Sequence, residues 1–199
     1  MDYNSAYKKW HKPNLTGTKA EGGTSWSKQG YYKPENPSKY VGPIDLIIYR
    51  SSWEFAFCKY CDYSTSIKRW SAEPIRVPYY DRTAKLEENQ KLGLNPNNPV
   101  NWKIKYYNVD FWIEQENNNG VLEKIFIEIK PSHKLKKPVP PVKDAPLREQ
   151  RQFVNKAKEY LSNEAKFAAI NAWAQKNNCK FYIFTEETLK NILMRFNKT

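Results

Sequence analysis

Tyr106-Tyr107-Asn108-Val109-Asp110-Phe111-Trp112-Ile113-Glu114-Gln115-Glu116-Asn117-Asn118-Asn119-Gly120-Val121-Leu122-Glu123-Lys124-Ile125-Phe126-Ile127-Glu128-Ile129-Lys130 decides the fold of this chain. Two runs rich in β-branched and aromatic residues flank Asn117-Asn118-Asn119-Gly120, which predicts a β-hairpin. With Asn118-Asn119-Gly120 as the loop and Gly120 in the left-handed conformation, Asn117 faces Val121. Counting back from that pair sets Asp110 opposite Glu128. The period of two puts Lys130 and Phe126 on the face of Glu128 and turns Ile125, Ile127 and Ile129 to the other. Two carboxylates and an ammonium therefore converge.

Facing acids repel, so the pair is costly unless a cation lies between them or one carboxyl is protonated. Magnesium accepts one or two carboxylates and fills its remaining positions with waters and phosphate oxygens, the coordination of a phosphodiester hydrolase. Lys130 then orients the attacking water or meets negative charge developing on phosphorus. The competing reading is a solvated strand face on which Lys130 pairs with an acid.

The sequence has 199 residues and a net charge of +12, with aromatics at 15%. That length suits one domain with extensions, and the charge calls for a polyanionic partner, nucleic acid first. No apolar run reaches the roughly 20 residues of a membrane span, and no apolar signal region follows Met1, so no membrane role is expected and a cytosol-like compartment is. Cys58-x-x-Cys61 has the spacing of half a zinc site, but Cys179, His11 and His133 do not complete one, and buried apolar cysteines are expected.

Residues 1–30 read as a flexible basic arm, and 31–199 as a single domain. After a proline-punctuated extended lead-in over 32–43, a helix starts at Ser51. Glu54, three residues on, is first a capping-box residue and alternatively a third metal-site acid. A strand over 74–79 is expected to pair with the hairpin, and a polar exposed loop follows over 81–100. Glu73, just before that strand, reads as an exposed acid beside a proline, with an approach to the acidic cluster as the alternative. Pro131 to Lys143 forms a stiff basic loop whose Lys134, Lys136 and Lys137 are placed to follow a phosphate backbone. Two helices are predicted, one over 147–161 and a second capped by Ser162 or Asn163 and ended by Asn177-Asn178. A strand over 179–184 runs parallel to the one carrying Glu128, and a helix capped by Thr185 ends the chain.

The lead-in Pro34 to Gly42, Tyr49-Arg50-Ser51-Ser52-Trp53-Glu54, Val77-Pro78-Tyr79, Asp110-Phe111 and Ile127-Glu128-Ile129-Lys130-Pro131 together resemble the head-completion nucleases of tailed phages, within the PD-(D/E)XK superfamily. A more distant likeness is to the endonuclease subunit of heteromeric transposases, on Ser51-x-x-Glu54 and Asn163-Glu164-Ala165-Lys166. Val109 stands where the superfamily name has proline, and Lys105 to Asn108 replaces a His-Arg pair common in phage relatives.

The resemblance implies an α/β, restriction-endonuclease-like αβββαβ core with a mixed central sheet and a C-terminal helix. It makes Glu54 a metal ligand with Asp110 and Glu128, makes Lys130 the catalytic lysine, and adds Lys166 to the nucleic-acid contacts. The implied cofactor is Mg2+, or Mn2+ in its place. The implied activity is cleavage of double-stranded DNA after packaging, beside the portal or head–tail connector, in the host cytoplasm during assembly or in the virion head. The alternatives are a non-catalytic head protein that binds packaged DNA or the portal, and a general basic nucleic-acid-binding module.

Overall fold

The computed structural model describes residues 29–84, 86–95 and 98–196. The basic arm expected over residues 1–30 lies almost wholly outside them. In chain order the elements are β1 (Gly30–Tyr31), β2 (Ile48–Tyr49), α1 (Ser52–Tyr63), β3 (Ile67–Ala72), β4 (Arg76–Asp81), α2 (Leu86–Lys91), β5 (Lys103–Asn108), β6 (Phe111–Glu116), β7 (Leu122–Ile129), α3 (Leu147–Lys176), β8 (Lys180–Phe184) and α4 (Glu186–Phe196). The region read as one domain packs as two compact units interleaved along the chain. One holds the residues up to Ile75, Val109–Ile129 and those from Asn178 on; the other holds Arg76–Asn108 and Lys130–Asn177.

The first unit is built on a mixed sheet in the order β3-β6-β7-β8. β6 is antiparallel to both β3 and β7, and β8 joins β7 in parallel, as expected. The hairpin register also agrees with the sequence reading. Asn117 N–H donates to Val121 O at 2.9 Å, Gly120 has φ of +74°, and Phe111 pairs with Ile127. Ile125, Ile127 and Ile129 enter one core with Phe111, Ile113 and Trp70, closed by Phe57, Cys58 and Cys61 of α1 and Leu189 of α4. The Phe57 ring meets Phe111 edge-on at 4.9 Å, a geometry in which the positive ring edge faces a negative π-face. Cys58 and Cys61 are fully buried there, as small apolar residues.

Two expectations about strands are corrected. The third antiparallel strand of this sheet is β3, pairing Trp70 with Ile113 and Ala72 with Phe111. The strand expected over 74–79 is β4, which instead pairs with β5 in the second unit, Val77 against Tyr107. The predicted long strand through Tyr106 and Ile113 is broken at Val109-Asp110, so β5 and β6 belong to different sheets. Alternation alone does not say which partner a strand takes, because both candidates offer one apolar face.

The lead-in is more than an extended connector. Residues 37–39 form a 3-10 turn, and the Lys39 ammonium donates to the carbonyls of Cys61, Asp62 and Ser64 at 2.7–2.8 Å. A cation thus satisfies carbonyls that the end of α1 leaves open. The buried Asp62 carboxylate accepts from Tyr32 Oη and from the Glu35 and Asn36 N–H groups.

The second unit pairs the β4–β5 ribbon with α3. Asp81, buried at the ribbon end, accepts from Lys105 Nζ at 2.7 Å and from Thr83. Residues 81–100, expected as a loop, contain α2 and a 3-10 turn at Pro99–Asn101. The two helices predicted from residue 147 on are one, α3. Ser162 and Asn163 have strong capping propensity, yet Asn163 is buried in mid-helix, where the apolar stripe through Ile170 and Ala174 continues.

Candidate active site

The strand break at Val109-Asp110 leaves Asp110 just before β6, and the next residue, Phe111, pairs with Ile127, the neighbour of Glu128 in β7. Asp110 Oδ2 accepts from the Ile129 N–H at 2.8 Å. Its backbone carbonyl accepts from the Glu73 N–H, also at 2.8 Å. Asp110 is therefore locked to β7 through its side chain and to the end of β3 through its backbone. Glu128, on the strand face opposite the isoleucines, is only 3% exposed. A carboxylate so far from water requires a compensating donor or cation.

Glu54 arrives from a different element. Ser51 caps α1: its Oγ accepts from the Glu54 N–H at 3.1 Å. The Glu54 carboxylate returns to that turn, accepting from the Arg50 N–H at 2.7 Å and from Ser51 Oγ at 3.0 Å. The capping role is thus realised, with the return bond made one residue earlier than in the standard box. Burial pushes the Glu54 carboxyl above its usual range, and the neighbouring Glu73 adds to the shift, while Arg50 and Ser51 oppose it.

Arg50 is the residue that sequence reasoning missed, and Glu73, for which an approach to the acids was only the alternative reading, takes that place. Arg50 Nε and Nη2 meet the two Glu73 oxygens at 2.6 and 3.3 Å. The Glu73 side chain is 11% exposed rather than free in solvent. Its φ of +45° is a left-handed conformation that costs a bulky residue about 1 kcal/mol or more. The Arg50 guanidinium is held charged chiefly by Glu73, with Glu54 and Asp110 contributing in turn. One cation thus feels three acids. A hint lay in the sequence: a positive charge directly before the capping serine of an acid-bearing helix.

Lys130 follows β7 directly on the chain and is half-buried at the start of the second unit. Of the expected nucleic-acid contacts, Lys134 is bridged to Glu159 at 2.7 Å, while Lys136 and Lys137 are exposed. The Lys166 ammonium lies 5.8 Å from the ring centroids of both Tyr79 and Tyr107, a cation–π arrangement that ties α3 to the ribbon.

Among the described residues, no three His, Cys, Asp or Glu side chains stand close enough together to hold a metal ion. Each Glu54 oxygen accepts one hydrogen bond in the cap. The donor chemistry still fits a hard divalent cation, for which one or two carboxylates and several waters suffice. Asp110, just before β6, and Glu128, on β7, are the carboxylates that would serve, and Glu54 is a further acid whose burial favours any added positive charge.

This sheet, with its acids and capped helix, has the restriction-endonuclease-like fold, and its family defines the class. Residues 64–186 match the family described as TnsA-like endonuclease N terminal, and the chain belongs to it. The chain is also 31% identical, over 81% of its own length and 93% of the relative's, to the head completion nuclease of Enterobacteria phage T4. It belongs with that protein among the head completion nucleases. No helix among the described residues is long and apolar enough to cross a membrane.

Proposed function

We propose that this protein is a magnesium-dependent endonuclease that hydrolyses double-stranded DNA during phage head completion, after the PD-(D/E)XK scheme. The observation that carries the proposal is the Asp110 carboxylate bonded to the Ile129 N–H, one residue along β7 from the buried Glu128. Similarity to a head completion nuclease over four-fifths of the chain supports the setting.

In this reading Asp110 and Glu128 hold the ion, and Glu54 contributes a further carboxylate once its capping bonds loosen. Bound magnesium, or manganese, supplies Lewis-acid polarisation of the phosphate and a more acidic water. The locked Asp110 side chain keeps its ligand geometry through the Ile129 N–H. Lys130, two residues beyond Glu128, donates hydrogen bonds to the charge that develops on the phosphate oxygens. Its ammonium acts through position and charge, so a neutral side chain of similar length loses the effect. Lys134, Lys136 and Lys137 contact the DNA backbone. The work is done in the host cytoplasm during assembly or at the filled head, near the portal or head–tail connector.

Linear, circular and branched DNA, incubated with and without magnesium, test the proposal. Products that need magnesium and fall by about 100-fold or more in both Asp110→Ala and Lys130→Ala support it, as expected for the loss of charge stabilisation in a transition state. Cleavage that survives either substitution overturns the assignment of that residue.

A further inference from the structure

A groove in the second unit lies outside the acid cluster. It runs between the proline-rich loop and the first half of α3 and encloses about 580 Å³. On the α3 side, Glu149, Phe153, Lys156 and Tyr160 line it. Their spacing of four, three and four puts them on one helix stripe. In an ordinary amphipathic helix that stripe is apolar and covered. Here Phe153 and Tyr160 are half-buried, and a lysine stands between them.

The opposite wall is stiff and basic. Pro138 and Pro141 limit its backbone freedom, and Lys136 and Lys137 line the groove with no hydrogen bond or ion pair among the described residues. The loop is tied to the helix by Lys134 to Glu159, and Gln150 Nε2 donates to Ala145 O at 2.7 Å further along. The groove is thus formed before any ligand arrives. Glu159 is already neutralised by Lys134, which leaves Glu149 against Lys136, Lys137 and Lys156.

Aromatic faces flanked by lysines in a preformed slot match a polynucleotide whose bases are free to stack. A duplex offers its phosphates but hides its base faces, and the volume lies within the roughly 300–1,000 Å³ of sites that take a single small ligand. We propose that this groove binds a single-stranded segment of polynucleotide, with a base against Phe153 and Tyr160 and the backbone along Lys136, Lys137 and Lys156. Combined with the nuclease reading, on which this extension rests, the substrate is DNA that carries an unpaired end or flap.

The test is fluorescence anisotropy with a labelled single-stranded 12-mer and a blunt duplex of equal length, in EDTA so that no cleavage intervenes. The intact protein binds the single strand at least about tenfold more tightly. Phe153→Ala weakens single-strand binding about 5- to 150-fold and leaves the duplex unchanged, in line with the loss of one base–aromatic stack. Lys136→Ala and Lys137→Ala, both on the exposed loop and harmless to packing, each lower the salt slope for the single strand by roughly 0.7. Equal affinity for the two DNAs, equal losses on both from Phe153→Ala, or displacement of the 12-mer by polyglutamate at matched charge overturns the groove assignment. Asp110→Ala separates the two proposals: it abolishes cleavage under the nuclease reading and keeps single-strand binding. Cleavage without a single-strand preference sinks the groove alone, and preference without cleavage sinks the nuclease reading alone.

Discussion

Arg50 shows how a single residue makes an acid-rich corner tolerable. Its guanidinium engages both oxygens of Glu73, and its backbone N–H serves Glu54. Removing it leaves a largely buried carboxylate without its partner, which costs more than an exposed ion pair is worth. Because the Arg50 side chain is 37% exposed, water recovers part of the loss. Arg50→Ala is expected to destabilise the protein by about 1–2 kcal/mol in urea denaturation. Adding Glu73→Gln, which removes the stranded charge, restores part of it. An unchanged denaturation midpoint in the single variant means that the pair is fully screened by solvent.

At the scale of elements, α3 is where local preference and packing disagree. Ser162-Asn163 has the chemistry of a helix start, but the helix passes through it without a break. Asn163 is 4% exposed, and its Nδ2 has no hydrogen-bond partner among the described residues. A buried donor without an acceptor costs free energy that an apolar side chain avoids, and alanine is also a better helix former. Asn163→Ala is therefore expected to raise stability by about 1 kcal/mol despite the small volume lost. The check is the thermal midpoint together with helicity by circular dichroism, and a lowered midpoint shows that the amide has a role in packing. The hairpin is the opposite case. Its loop, left-handed Gly120 and cross-strand register all agree, so the element is specified locally.

For the molecule as a whole, the net charge of +12 favours a polyanionic partner, and duplex DNA is the one the proposed function requires. Counterions released from the duplex make affinity fall steeply with salt. If about four phosphates are neutralised, the apparent association constant drops by about 100-fold between 50 and 200 mM salt. Titration of the protein with duplex in EDTA measures that slope directly. A flat profile shows that the excess charge does not face the nucleic acid.

Chain order and side-chain chemistry were enough to specify the hairpin register, the Ser51 helix start and the parallel placement of β8. Each follows from turn geometry, alternation or a cap, which act over a few residues. The tertiary structure decided which strand borders β6, that α3 runs unbroken through two capping residues, and that Arg50 and Glu73 join the acids. Those outcomes depend on which surfaces meet across long stretches of chain, and the energy of burying a face is the same in the pattern whichever partner covers it. Glu54 lay between the two cases: its capping bonds were legible from four residues, while its burial beside Glu73 was visible only once the chain had folded.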